Sequence, residues 1–221
     1  MNEAPHARPR GPPEFGARFR AELRDLFIWR RDVRHFQSTP IPEELLSRLL
    51  EVACLAPSVG LSEPWRFVIV EDAGRRAAIR ACFEACNKDA LRAQSEDRAS
   101  LYARLKLAGL DDAPCHIAAF ADDGTQQGHR LGRHTMPETI AYSTVAAIHS
   151  LWLAARAEGI GLGWVSILDP ARVAAILDVP AAWKLVGYLC LGYPAEEGDS
   201  PLLERLGWEQ RRHSAGVVIR R

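Results

Sequence analysis

Three arginines and an aspartate crowd into the run Arg30-Arg31-Asp32-Val33-Arg34. Alternate arginines on one face can hold a phosphate through fork-like, charge-assisted hydrogen bonds. Closing a helical stretch, the same run also reads as a solvated helix end, where the helix dipole favours cations. Spacing alone leaves both readings open. Further along, Ala56-Pro57-Ser58-Val59-Gly60-Leu61-Ser62-Glu63-Pro64-Trp65 combines small residues, hydroxyls and a backbone able to approach a ligand. Such a loop suits the edge of a planar cofactor, and it is equally a plain connection from helix to strand. A third run, Gly159-Ile160-Gly161-Leu162-Gly163, invites a dinucleotide fingerprint. That motif must leave a strand and open a helix. Here the glycines follow a helix and open a strand, so they read as a helix stop and tight turn.

The five cysteines, Cys54, Cys82, Cys86, Cys115 and Cys190, form no C-x-x-C pair and have no neighbouring ligands for a metal. They read as buried thiols in a reducing compartment. Lys plus Arg and Asp plus Glu number 28 each, and this zero formal charge argues against a nucleic-acid binder. With 48% apolar residues in 221, one domain over residues 19–221 can bury a full core. Residues 1–18, rich in proline and arginine, read as a loosely ordered arm without the apolar centre of a signal peptide. The apolar stretch 145–157 is interrupted by His149, Ser150 and Arg156 and is too short to span a bilayer, so the expectation is a soluble, cytoplasmic protein.

The elements that must position these residues alternate between the two periodicities. Helices are expected over residues 19–29, with Leu23, Phe27 and Ile28 facing inward, and over 42–53, 75–87, 137–158 and 170–177. Strands are expected over 66–70, 115–121, 163–167 and 184–191. Helix 137–158 is apolar nearly all round, which places it within a core or a subunit interface. Residues 88–112 are polar and weakly patterned, a candidate lid. The tail 216–219 is a possible strand with nothing local to pair, which suggests exchange with a neighbouring chain.

Taken together, R-R-x-x-R-x-F from Arg30 to Phe36 and A-P-S-x-x-x-S-x-P-W-R-F-V from Ala56 resemble the nitroreductase-like flavoprotein superfamily. The resemblance runs on through the long apolar helix, Gly163-Trp164-Val165-Ser166, Leu189-Cys190-Leu191-Gly192-Tyr193 and Trp208-Glu209-Gln210-Arg211. Within the superfamily the chain is most similar to the BluB-type enzymes, the 5,6-dimethylbenzimidazole synthases. Leu105-Lys106-Leu107, Tyr142-Ser143-Thr144-Val145 and the stretch from Leu151 to Gly159 carry that likeness. Asp32 stands where generic nitroreductases usually carry a small hydroxyl residue, and Ser166 also departs from them. Glu63 replaces the family's usual Gln, and a carboxylate cannot donate the hydrogen bond that an amide can.

The resemblance implies an α+β fold, with a mainly antiparallel central sheet flanked by helices, a long buried central helix and an extended C-terminal tail. It implies that reduced FMN and molecular oxygen are the reactants. FMN would be fragmented to 5,6-dimethylbenzimidazole, the lower ligand of vitamin B12, and erythrose 4-phosphate. Arg30, Arg34 and Arg211, with Arg31, would hold the phosphate or the polar edge of the flavin. Pro57, Ser58, Gly60 and Leu61 would line the ring across a homodimer interface, and Lys106 would approach from the intervening segment. Val33, Trp164 and Val165 fall within the flavin-binding motifs. Asp32 is the expected proton acceptor, and Ser166 would orient the flavin. A separate flavin reductase would supply reduced FMN. The rival readings are an NAD(P)H-dependent nitro- or flavin reductase on the same fold and a non-catalytic flavin sensor.

Overall fold

The computed structural model describes residues 11–105, 109–212 and 217–221. Most of the expected arm, Lys106 and Gly216 of the tail lie outside the described residues. Four strands, β1 (Trp65–Ile69), β2 (Cys115–Asp122), β3 (Gly161–Val165) and β4 (Trp183–Gly192), form one sheet in the order β1-β2-β4-β3. Every neighbouring pair is antiparallel, with Trp65 opposite Ala121, Cys115 opposite Leu191 and Gly161 opposite Gly192. Strand β2 is buried from Cys115 to Ala121, so both its faces must be covered.

The pleat divides the core in two, because alternate side chains leave a strand on opposite faces. Cys115, Ile117 and Ala119 of β2 join Leu189 and Leu191 of β4 on one face. They pack against α2 (Glu43–Ala53) and α5 (Thr139–Ala157) through Leu45, Leu49, Ile148 and Leu151. Ala118, Phe120, Tyr188 and Cys190 point the other way, onto Ile79 and Cys82 of α3 (Ala73–Arg92) and Val173 and Leu177 of α6 (Pro170–Leu177). The α+β architecture with a central antiparallel sheet is therefore as expected. Within residues 88–112, the helix-compatible candidate lid, α3 continues to Arg92 and α4 (Glu96–Arg104) follows.

Helix α1 (Ala17–Trp29) departs from its expected orientation. It has no buried residue, and Leu23, Phe27 and Ile28, expected to face inward, are exposed. Its apolar stripe is real, but among the described residues nothing buries it, and Phe27 only stacks on His149 with ring centroids 6.1 Å apart. Tyr142 and Val145 of α5 are exposed likewise, although Ile148, Leu151 and Ala155 on the same helix are fully buried. Cys54, expected buried, is exposed at the end of α2, whereas Cys82, Cys115 and Cys190 are buried. Among the described residues, no helix is long and apolar enough to cross a membrane.

The glycine run behaves as its polarity predicts. Helix α5 ends at Ala157, Gly159 takes φ +74°, and β3 begins at Gly161. Gly163 has a further reason to lack a side chain, since a Cβ there would run into the backbone oxygen of Val33. The arginine segment thus lies directly on β3. Val33 N donates to Leu162 O at 3.1 Å, Gln37 N to Tyr193 O at 2.8 Å and Ala195 N to His35 O at 3.0 Å.

Candidate functional site

Anchoring along β3 fixes where the arginine segment presents its side chains. Asp32 Oδ1 accepts from the Trp164 backbone N–H at 2.9 Å, and Oδ2 accepts from Arg34 Nε at 3.0 Å. The Arg34 side chain is 8% exposed and that of Asp32 is 36% exposed, so the carboxylate sits at the edge of a cavity with its guanidinium partner behind it. Helix α5 fixes the other two arginines. Trp152 Nε1 donates to Arg31 O at 3.2 Å, and its ring lies 4.6 Å from the Arg30 guanidinium carbon.

Arg30, Arg31, Asp32, Arg34 and Arg211 line one cavity of about 170 Å³, closed by Pro201, Leu202 and Leu203 around the start of α7 (Leu202–Arg205). Among the described residues, the Nε atoms of Arg30 and Arg31 are buried without a hydrogen-bond partner. Burial lowers the pKa of both guanidiniums, and the Arg211 charge lowers each further; Asp32 partly opposes this at Arg30. A cavity lined by cations that repel one another and keep idle donors is arranged for an anion with several oxygens. These residues therefore fit the phosphate of FMN.

Other expected site residues fall in different surroundings. Ser166 is exposed just past the end of β3, two residues beyond the backbone N–H that holds Asp32. Val165 is 2% exposed in the core, and Val33 packs its side chain against the same core and Gly161. Neither offers its side chain freely to a ligand. Pro57, Ser58, Gly60 and Leu61 hang from the other half of α5, where Val59 N donates to Ser143 Oγ at 3.0 Å. Ser143 and Trp152 are nine residues apart, roughly 14 Å along a helix. Within one chain the two groups are thus fastened well apart, with Leu61 exposed. Ser58 Oγ accepts from Glu63 N at 3.1 Å, and the Glu63 carboxylate accepts from Gln127 Nε2 at 2.9 Å.

A larger cavity, about 630 Å³, opens between Ala121, Lys184 and the start of α5, lined also by Arg130, Arg133 and His134. It contains none of the expected site residues, and Arg133 is spent on the carbonyls of Thr125 and Asp123. The smaller cavity, with its unpaired buried guanidinium nitrogens, is the better candidate. Sequence reasoning had not singled out Trp152 or the 201–203 wall. Trp152 lies within a quoted motif, but the wall carries no local signal.

Comparison with known proteins identifies the family. The nitroreductase family profile matches residues 28–193. The 5,6-dimethylbenzimidazole synthase of Rhodospirillum rubrum is 59% identical over 200 residues, covering 90% of this chain and 95% of that protein. That of Rhodobacter capsulatus is 47% identical over 191 residues, covering 86% and 92%. The crystal structure of oxidized iodotyrosine deiodinase bound to FMN and 3-iodo-L-tyrosine matches with a TM-score of 0.70 at 27% identity, over 90% of this chain and 97% of that one. The resemblance carried by the arginine and Pro-Ser motifs is borne out: the chain belongs to the nitroreductase family of enzymes, among the relatives of its 5,6-dimethylbenzimidazole synthases.

Proposed function

We propose that this enzyme converts reduced FMN and molecular oxygen to 5,6-dimethylbenzimidazole and erythrose 4-phosphate, the flavin's pyrimidine ring leaving as an oxidised four-carbon, two-nitrogen fragment, with FMN consumed as substrate. The observation that carries the proposal is the cavity in which Arg30, Arg31, Arg34 and Arg211 surround Asp32 with two buried guanidinium nitrogens unpaired. High identity to named synthases from two organisms supports the same reading. When bound, reduced flavin supplies the electrons for reaction with oxygen, and its ring and side chain supply the product carbons.

The chain's own part is holding, orienting and moving protons. Arg30, Arg31 and Arg211 hold the phosphate, and the Trp152 ring under Arg30 restricts that guanidinium to one plane. Asp32 is held by one N–H on each carboxylate oxygen, which leaves a lone pair on each for a proton. It is the proton acceptor in this reading, and the Trp164 N–H and Arg34 fix its direction. Ser166, at the mouth of the β3 end, orients the flavin by its hydroxyl. The exposed apolar stripe of α1, with Tyr142 and Val145, supports a homodimer. In it the Pro57–Leu61 loop of one protomer would complete the flavin site of its partner. Reduced flavin would arrive from a separate reductase.

The test is direct. Purified protein is mixed with photoreduced FMN under anaerobic conditions and then exposed to air, and the products are analysed by mass spectrometry. Dimethylbenzimidazole together with erythrose 4-phosphate is expected. Rapid NAD(P)H oxidation with FMN retained and no dimethylbenzimidazole would instead identify a flavin-dependent reductase.

A further inference from the structure

The loop that carries Ser58, Gly60 and Leu61 is held in an unusual backbone conformation by a second loop. Leu61 and Glu63 have φ values of +55° and +41°, although neither is glycine. In the facing turn, Gln127–Arg130, His129 and Arg130 have φ values of +48° and +62°. Among the described residues, Asp178 at the end of α6 is the other non-glycine residue of this kind, and it simply caps a helix. Such conformations are costly for L-residues and persist where the surroundings over-determine them.

What over-determines them is a clasp between the two loops. A Cβ on Gly128 would collide with the carbonyl oxygen of Gly60. A Cβ on Gly60 would lie 2.9 Å from the carbonyl oxygen of Leu131. Both glycines have positive φ, so backbone meets backbone with no side chain between. Across this contact Gln127 Nε2 donates to Leu61 O and to Glu63 Oε2, each at 2.9 Å. One amide group thus ties down both strained residues, and it spends both of its hydrogens doing so.

We propose that Gln127 is a positioning residue for the flavin. Acting through Leu61 and Glu63, it holds the Ser58–Leu61 loop in the shape that meets the ring. This rests on the reading that the loop lines the flavin. Glu63 accordingly serves as an acceptor for Gln127. The amide–carboxylate pair has a direction, and exchanging the two side chains should reverse it without abolishing it.

The experiment uses the full chain and its Gln127→Ala, Gln127→Glu and Glu63→Gln/Gln127→Glu variants. It measures oxidised FMN binding by quenching of flavin fluorescence, the visible band of bound FMN, and thermal unfolding without flavin. Gln127→Ala is expected to bind FMN about five-fold more weakly, the scale of one lost hydrogen-bonding group, with a shifted visible band and little change in unfolding midpoint. Gln127→Glu sets two carboxylates face to face, so its affinity should be lower still at neutral pH. That affinity should recover as pH falls through the carboxylate range. The double exchange should restore much of the affinity. Wild-type affinity and an unchanged band in Gln127→Ala, or a double exchange no better than Gln127→Glu, would overturn the role while leaving the proposed function standing. Absence of binding of both oxidised and photoreduced FMN by the unsubstituted chain would overturn both.

Discussion

Replacing Asp32 by Asn changes one charge and almost no volume, so it separates holding from proton transfer. Oδ1 would still accept from Trp164 N, at 2.9 Å in the present structure. The new amide nitrogen would replace Oδ2, which lies 3.0 Å from Arg34 Nε, and two donors would then face each other. A hydrogen bond with a charged partner contributes about 1.5–3 kcal/mol net. The Asp32 side chain is 36% exposed, and solvent screening reduces the loss to roughly 1–2 kcal/mol. For a domain of this size the unfolding midpoint should fall by roughly 2–8 °C. If all of that loss appeared in binding, FMN affinity would fall by roughly 5- to 30-fold. Loss of a general base costs more, about 10²- to 10⁴-fold in rate. The assay is a single turnover with photoreduced FMN held well above its dissociation constant, then oxygen, with dimethylbenzimidazole quantified by mass spectrometry. The expected variant binds FMN, folds, and forms product at least about 100-fold more slowly. If its rate at saturating flavin matched the unsubstituted enzyme, Asp32 would be a structural tie between β3 and Arg34, and the proton would go elsewhere.

Two further outcomes follow from the same geometry. Arg30→Lys keeps the charge but loses the fork and most of the stacking on Trp152, so FMN affinity measured by fluorescence should drop roughly 10-fold or more, whereas binding of phosphate-free riboflavin should change far less. Stability should also depend on His116, which is 2% exposed, with Nε2 at 3.2 Å from Ala113 O and Nδ1 at 3.0 Å from the Tyr188 hydroxyl. Those partners suit the neutral ring, donating from Nε2 and accepting at Nδ1. Burial, with Arg76 adding to it, pushes the pKa of His116 down to about 4 from the usual 6.5. The folded pKa lies below the unfolded one, so the unfolded chain gains the proton first. Stability is full above pH 6.5 and is lost as pH falls towards 4, by about 3 kcal/mol from this group. Urea unfolding at stepped pH, with the His116 ring followed by NMR, checks it; a ring that titrates near 6.5 in the folded protein would refute it.

Which parts were legible in the sequence depended on whether their cause was local. The two-residue alternation along β2 assigns Ile117 and Ala119 to one face and Ala118 and Phe120 to the other, and the packing of the two core halves follows it. The arginine run could be recognised because five consecutive residues carry most of the charge of the candidate cavity. Its closure by Trp152 and Leu202 could not, because both arrive from more than a hundred residues away, and the equally distant Arg211 was expected only through the family resemblance. Gly163 shows a different limit. Its glycine is required by the crossing backbone of Val33, and a close approach of two backbones leaves no periodic mark.

Helix α1 shows a limit of periodicity. Helical spacing of Leu23 and Phe27 correctly signals a surface that should leave water. Periodicity says nothing about whether the covering surface belongs to the same chain, and among the described residues nothing buries this one. The exposed Leu61 poses the same question at the site, because its loop is fastened to α5 about two and a half turns from the arginines it is proposed to serve. A second copy that covered α1 and Val145 while bringing its own Ser58–Leu61 loop to these arginines would account for both with one contact. The inward face expected for α1 and the ring lining expected for the loop would then share a single physical origin, burial against that second copy.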